Sequence, residues 1–420
     1  MKRYFWIMSC LGILLAMSLV ARSEDLLRGT NLMWVNISDP DLVRERDRNY
    51  ASDHIDVIDL VTKKVVQAIN GIPKPADRIF SHDGSRAYVT SVTTEHNLYV
   101  VETKTGKIID KVQLSGRPNR PAIAKDGKKV YVAIRDPGPA VPIAKAPVEG
   151  LDFNFDDKRR WAKNGGAVDI VDTTSLKVVK TIPTSGPLHN CWLTPDGKYV
   201  VCDSPEGQNV AVVDLQTEKL AWETPVKGPE SKSTVFRHGD AQSMSVEAGP
   251  DGSTNRITVE IRGLRGFAVI DFKTRKQVKI VTFPDQPNGF ISNANEPHTH
   301  GDVLSPDSKV RWVASQDANA IFIYSIPDDK LLGHVSLPEF NAAEHPSFKA
   351  AGHSNPAIGC NTGDLDFTED GKKVYAVCNP GFGISSFVFA VDVKSLKVVD
   401  RIPLNKASPA GDPRPLSVIK

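Results

Sequence analysis

The chain has 420 residues, 40% apolar and 24% charged, with 29 Pro, 30 Gly and five Cys. That length exceeds one small core, and the mixture excludes disordered, fibrous and disulfide-stapled mini-protein classes; the Pro and Gly content favours a turn-rich β protein over a helix bundle. The formal charge is only +2, so no polyelectrolyte partner is implied.

In chain order, the first feature is an export signal. Met1-Lys2-Arg3 precedes an apolar run from Tyr4 to Val20, and Ala21 and Ser23 place small residues where a signal peptidase needs them. Residues 1–23 are read as a signal peptide cleaved after Ser23, with an uncleaved anchor as the rival reading. Cleavage leaves 49 basic against 50 acidic residues, a mature charge of −1. The mature chain, residues 24–420, is expected to be periplasmic or secreted, with no stable membrane span and no nucleic-acid partner.

Seven segments then share one pattern: an apolar strand ending in an acidic or polar residue, a short turn, a Lys five positions on, and a second apolar strand. They are HIDVIDLVTKKVV, NLYVVETKTGKII, AVDIVDTTSLKVV, NVAVVDLQTEKLA, GFAVIDFKTRKQV, AIFIYSIPDDKLL and FVFAVDVKSLKVV. The Lys falls at Lys64, Lys107, Lys177, Lys219, Lys276, Lys330 and Lys397. Six of the seven follow a second hairpin centred on Asp-Gly or its near equivalent, as in HDGSRAYV, PDGKYVV and PDSKVRWV. Asp-Gly between alternating apolar residues signals a tight hairpin, because Gly takes the positive φ the turn demands. Two hairpins give four antiparallel strands, one propeller blade, and seven repeats predict an all-β, seven-bladed β-propeller as a single domain.

PDGKYVV followed by NVAVVDLQTEK resembles the YVTN family of β-propeller repeats, with Tyr88-Val89-Thr90-Ser91 as the most literal copy of that motif. The resemblance covers nearly the whole mature chain. It implies the fold, and leaves function to the loops.

The first repeat lacks its Asp-Gly hairpin. NLMWVNIS supplies one strand near the N-terminus, and GDPRPLSVIK at the C-terminus reads as the innermost strand that belongs before it. The C-terminal strand is therefore expected to close the ring against the N-terminal blade.

Between Asp59, Glu102, Asp172, Asp214, Asp271, Ser325 and Asp392 the intervals are 43, 70, 42, 57, 54 and 67, so four repeats carry insertions. These fall at about 137–166, within a blade, and at about 227–243, 284–302 and 338–363, between blades. In an up-and-down blade both connection types emerge on one face, the top face, which is where function is expected. Eight of the ten histidines map to that face: His54, His96, His189, His238, His298, His300, His345 and His353. His82 and His334 read as structural.

His189 and His300 each lie eight residues before the hairpin turn of their blade, which places them where the chain enters an innermost strand, at the mouth of the central channel. Asp77 and Arg120 reach the same rim from blades 2 and 3. His238-Gly239-Asp240, His300-Gly301-Asp302 and Thr362-Gly363-Asp364 recur 62 residues apart. Their carboxylates either cap local turns or, with the imidazoles, bind a ligand; Asp302 and Asp364 are the candidates. His298 and His300, two apart on an extended segment, can converge on a metal with His189, and His238, His345 and His353 are loop-borne ligand candidates. Copper is the first expectation and haem iron the second.

Four cysteines remain after cleavage. If the Asp196-Gly197 turn is tight, Cys191 and Cys202 face each other across a hairpin and can bridge; Cys360 and Cys378 pair by elimination. The alternative is four buried thiols.

No G-x-S-x-G, H-E-x-x-H, C-x-x-C or phosphate-binding glycine loop occurs. Asp152 to Asp157 begins like a calcium loop but lacks its Gly and closing Glu. Three classes stand: a binding or scaffold propeller gripping a protein or small molecule on its top face; a copper or haem redox protein; and a lactonase-like hydrolase. For the second, EPHTH and HPSFKAAGH are distantly similar to the His-bearing loops of the haem-binding propeller in cytochrome-type nitrite reductases and of the nitrous oxide reductase propeller, whose richer histidine sets and glycine-rich haem loop this chain lacks.

Overall fold

The computed structural model describes residues 32–37, 53–138, 141, 165–205, 208–228, 241–261, 264–284, 299–341, 343, 357–360, 362–368, 370–380, 386–404 and 417–418. The segment read as a signal peptide and most of the four insertion spans lie outside them. Among the described residues no helix is long and apolar enough to cross a membrane.

The recurrent residues of the repeat turn out to be turn chemistry. In five of the seven outer hairpins an Asp caps the turn: Asp59 Oδ1 accepts the N–H groups of Val61 and Thr62, both at 2.8 Å. Asp172, Asp214, Asp271 and Asp392 accept the N–H three residues on, at 2.6 to 2.7 Å. The next position takes a left-handed φ, from 49° at Glu218 to 66° at Gly106, and the recurrent Lys is the residue that follows it. In the inner hairpins the Asp of Asp-Gly accepts the N–H two residues on, as Asp196 does from Lys198 at 3.1 Å. The Cys191 hairpin closes with Thr194 opposite Tyr199, a wider loop than two residues that keeps the same register.

These hairpins build seven four-stranded antiparallel blades. Blade 1 holds β1 (Leu32–Ile37), β2 (His54–Asp59) and β3 (Lys64–Asn70). Blade 2 holds β4 (Pro75–Phe80), β5 (Arg86–Ser91), β6 (Asn97–Glu102) and β7 (Lys107–Gln113), and blade 3 β8 (Arg117–Ile123), β9 (Lys129–Arg135), β10 (Gly166–Asp172) and β11 (Lys177–Thr184). Blade 4 holds β12 (Cys191–Leu193), β13 (Tyr199–Ser204), β14 (Asn209–Asp214) and β15 (Lys219–Pro225). Blade 5 holds β16 (Ala241–Ala248), β17 (Thr254–Ile261), β18 (Gly266–Asp271) and β19 (Lys276–Thr282), and blade 6 β20 (Thr299–Leu304), β21 (Val310–Ser315), β22 (Ala320–Ser325) and β23 (Leu331–Ser336). A small ladder of β24 (Phe340–Asn341) and β25 (Ala357–Ile358) precedes blade 7, which holds β26 (Leu365–Phe367), β27 (Lys373–Cys378), β28 (Phe387–Asp392) and β29 (Lys397–Pro403). Finally β30 (Ser417–Val418) returns to blade 1, with Trp34 opposite Ser417 and Met33 opposite Val418. The ring is closed by its C-terminal strand, which removes the edge that β1 would otherwise expose.

The insertion spans fall in the connections between β9 and β10, β15 and β16, β19 and β20, and β23 and β26, whose flanking strand ends all lie at the top face. β16 and β20 begin at Ala241 and Thr299, inside the spans read from sequence as insertions, because bulges let these strands start early.

Apolar seams hold the blades together. Trp34, Val57, Val89 and Val101 pack between blades 1 and 2, and Trp312, Ile323, Phe367 and Phe389 between blades 6 and 7. Six of the seven seams, including that between blades 7 and 1, are packed by extended apolar clusters. Between blades 5 and 6 only the outer half is apolar, with Phe267, Phe283, Phe322 and Tyr324.

Candidate functional site

The innermost strands open at the top face through irregular pairing. Register breaks lie between Pro75 and Arg78, Pro118 and Pro121, Ala241 and Ser243, and Thr299 and Asp302. A bulge re-aims the side chains it carries. Two of the breaks contain Asp77 and Arg120, the rim residues expected from the sequence.

Arg120 sits where three blades meet. Its backbone bridges to Asn190 of blade 4, its guanidinium lies 5.2 Å over the Trp192 ring, and the nearest Asp77 oxygen is 3.9 Å away. The side chain is 37% exposed, so its planar donor edge faces solvent as well as protein. His189 is nearly buried; the Asn190 amide nitrogen stands 2.8 Å from Nδ1 and Asp203 Oδ2 at 3.7 Å. Asp203 also accepts the Asn190 N–H at 2.5 Å, so this carboxylate pins the start of blade 4.

Below the rim, Arg78 is buried and donates to the Trp34 carbonyl and to Asn36 Oδ1. Burial lowers its pKa to about 9, against the opposing pull of Asp77, Asp364 and Asp366. Asp364, of the third Gly-Asp motif, is thus among the acids whose charge acts on Arg78. His96 lies in the β5–β6 turn, where burial lowers its pKa against the raising influence of Asp136. His54 Nε2 is 3.2 Å from Asp56. His82 bonds the Ala124 carbonyl at 2.8 Å on the opposite face, and His334 packs 6.4 Å from Phe322.

Asp302 lies deeper than a rim residue. Its side chain is buried in the seam between blades 5 and 6, with Oδ2 3.2 Å from Ser245 Oγ and 3.4 Å from Arg311 Nε. The seam continues through Arg311, which pairs with Glu247 and stacks 4.5 Å over Phe267, to Arg256, which bridges Glu247 at 2.7 Å and Asp329 at 3.0 Å.

His238, His298, His345 and His353 lie outside the described residues; so does the His300 side chain, although its backbone is in β20. Among the described residues no group of three or more His, Cys, Asp or Glu is arranged to hold a metal ion. The four cysteines form two disulfides, Cys191–Cys202 and Cys360–Cys378, with Cα atoms 4.1 and 4.5 Å apart.

Sequence reasoning missed Arg78, Glu247, Glu260 and Arg311. A signal existed for Arg311: at its register the other six blades carry Met33, Ala87, Val130, Val200, Ile257 and Val374, all apolar.

No protein-family profile and no curated protein matches the chain. Among solved structures it is similar to Kuenenia stuttgartiensis hydrazine synthase, with a TM-score of 0.51 and 17% identity over 84% of this chain and 90% of that one. It is also similar to the dihydro-heme d1 dehydrogenase NirN in complex with DHE, with a TM-score of 0.53 and 15% identity over 90% of this chain and 74% of that one. At these identities the likeness is one of fold.

Proposed function

We propose that this is an exported binding propeller of the YVTN kind, whose top face grips an anionic small ligand or an acidic segment of a partner at the channel mouth. The observation that carries the reading is Arg120: a half-exposed guanidinium, stacked on Trp192 and set by a bulge between the innermost strands of three blades, on the face where the insertion-bearing connections leave the strands. Among the described residues its one carboxylate neighbour within 4 Å, Asp77, is at 3.9 Å, beyond hydrogen-bond distance. Donors held this way suit a carboxylate or phosphate. The two disulfides support an oxidising compartment.

A second reading, a haem- or copper-dependent redox protein, is favoured by the likeness to NirN in complex with DHE and by the histidines of the loops. A tetrapyrrole dicarboxylate would meet both requirements, its carboxylates at Arg120 and its iron at the histidines. Absorbance titration with haemin and with metal-free protoporphyrin separates the two. Binding of both probes, weakened roughly tenfold or more in Arg120→Ala, supports the anion grip. Binding of haemin alone, lost in His298→Ala/His300→Ala, supports the redox reading. Equal binding of both probes by wild type and both variants removes the mouth from either.

A further inference from the structure

The inner half of the seam between blades 5 and 6 is polar where the other seams are apolar. β16 and β17 turn Ser243, Ser245 and Glu247, and Arg256, Thr258 and Glu260, toward Asp302 and Arg311 of blade 6. Four acids, Glu247, Glu260, Asp302 and Asp329, share three cations, Arg256, Lys279 and Arg311. Glu247 and Asp329 take most of them: Arg311 and Arg256 on Glu247, Arg256 and Lys279 on Asp329, the last at 3.2 Å. Asp302 has Ser245 and an Arg311 nitrogen at 3.4 Å.

Glu260 is the acid left over. It is 0% exposed, and neither carboxylate oxygen has a well-formed hydrogen bond. From β20 it faces Asp302 and the Gly301 amide, from β21 Arg311, and from the segment before β26 Asp364; Ser243 of β16 and Phe267 of β18 lie opposite it in the sheet. The Gly301 amide favours the ionised form of Glu260, against the larger effect of burial. Gly301 itself is wedged: its φ is +103°, and a Cβ there would lie 2.5 Å from the Gly363 carbonyl oxygen of the next blade. The bulge that starts blade 6 at the channel mouth is thus held between Glu260 and Gly363.

We propose that this seam is a proton-operated latch, in which Glu260 is a neutral carboxyl in the closed ring and its ionisation loosens the seam against the Gly301 bulge. A buried carboxylate without a well-formed hydrogen bond and with two acidic neighbours is the costly state, and among the described residues the seam offers no fourth cation to offset it. Burial, reinforced by the neighbouring Asp302 charge, raises the Glu260 pKa well above its ordinary value. The sign follows. A carboxyl whose pKa is raised on folding contributes its full stability below the unfolded value near ~4.3 and loses it as pH rises toward the folded value. An effect on ligand binding rests on the mouth being the site; the latch itself does not.

The test is thermal melting of the full mature protein from pH 4 to pH 9, with hydrogen exchange of residues 299–304, for wild type, Glu260→Gln and Glu260→Met. The latch predicts that wild type loses stability and amide protection as pH rises above about 5, that Glu260→Gln flattens this limb, and that at pH 8 at least one variant melts ~2 °C or more above wild type. Parallel pH profiles, or both variants melting below wild type at pH 8, would overturn it. Absence of ligand binding with the pH limb intact would remove the mouth reading and leave the latch.

Discussion

At the level of single side chains, the inner hairpins show how narrowly the turn is specified. Gly84, Gly127, Gly197, Gly252 and Gly371 take φ between 65° and 78°, while blade 6 places Ser308 at 55° in the same position. A side chain there strains the backbone, so Ser308→Gly should raise stability by up to about 1 kcal/mol, read as a higher denaturant midpoint with an unchanged m-value. The turn acids also titrate. Hydrogen bonds from Ser81 and Ser85 lower Asp83 to about 2, and those from Thr368 and Lys372 lower Asp370 to about 2. Depressed carboxyls stabilise the fold above their unfolded value near ~3.9, and that contribution is lost as pH falls toward about 2. Melting temperatures should therefore drop between pH 4 and pH 2, less steeply in Asp83→Asn/Asp370→Asn; identical slopes would show that these turns do not govern the acid limb.

At the level of strands, β12 and β26 are the shortest innermost strands within their blades' own segments, three residues each, and both disulfides attach at them or just before them. A short ladder supplies few backbone bonds, and a cross-link offsets that by restricting the unfolded chain. Cys191→Ser/Cys202→Ser should cost about 2–4 kcal/mol, and denatured, unreduced protein should show no free thiol among residues 24–420. Four free thiols would contradict both bridges. The first bridge was legible because an Asp-Gly turn fixes a sum of residue numbers, and the real, wider turn conserves that sum. Cys360 precedes β26 and lies outside its ladder with β27, so no register rule could reach it. Strands, turns and blade count were legible for the same reason: they depend on local chemistry repeated seven times. The polar seam was not, because Glu260 and Arg311 are set by the facing blade, and only comparison of equivalent registers marks Arg311 as an exception. His298 and His300 illustrate the opposite case, a pattern visible in sequence whose geometry lies outside the described residues.

For the molecule as a whole, closure depends on a short C-terminal strand. Ser417 and Val418 cover the edge of β1, whose Met33, Trp34 and Val35 are fully buried. Deleting residues 412–420 exposes that edge and leaves its backbone groups without partners. The cooperative melting transition should disappear or fall by at least ~5 °C. An unchanged transition would mean that the ring does not need this strand.

The central claim is that the channel mouth on the loop-bearing face is the binding surface, and hydrogen–deuterium exchange of the oxidised mature protein with and without bound haemin tests it most directly. The account predicts protection at residues 75–78, 117–120 and 188–190, around Asp77, Arg120 and His189, with the Asp-Gly turns on the opposite face unchanged. Protection confined to those opposite turns, or no difference anywhere in the ring, would contradict it.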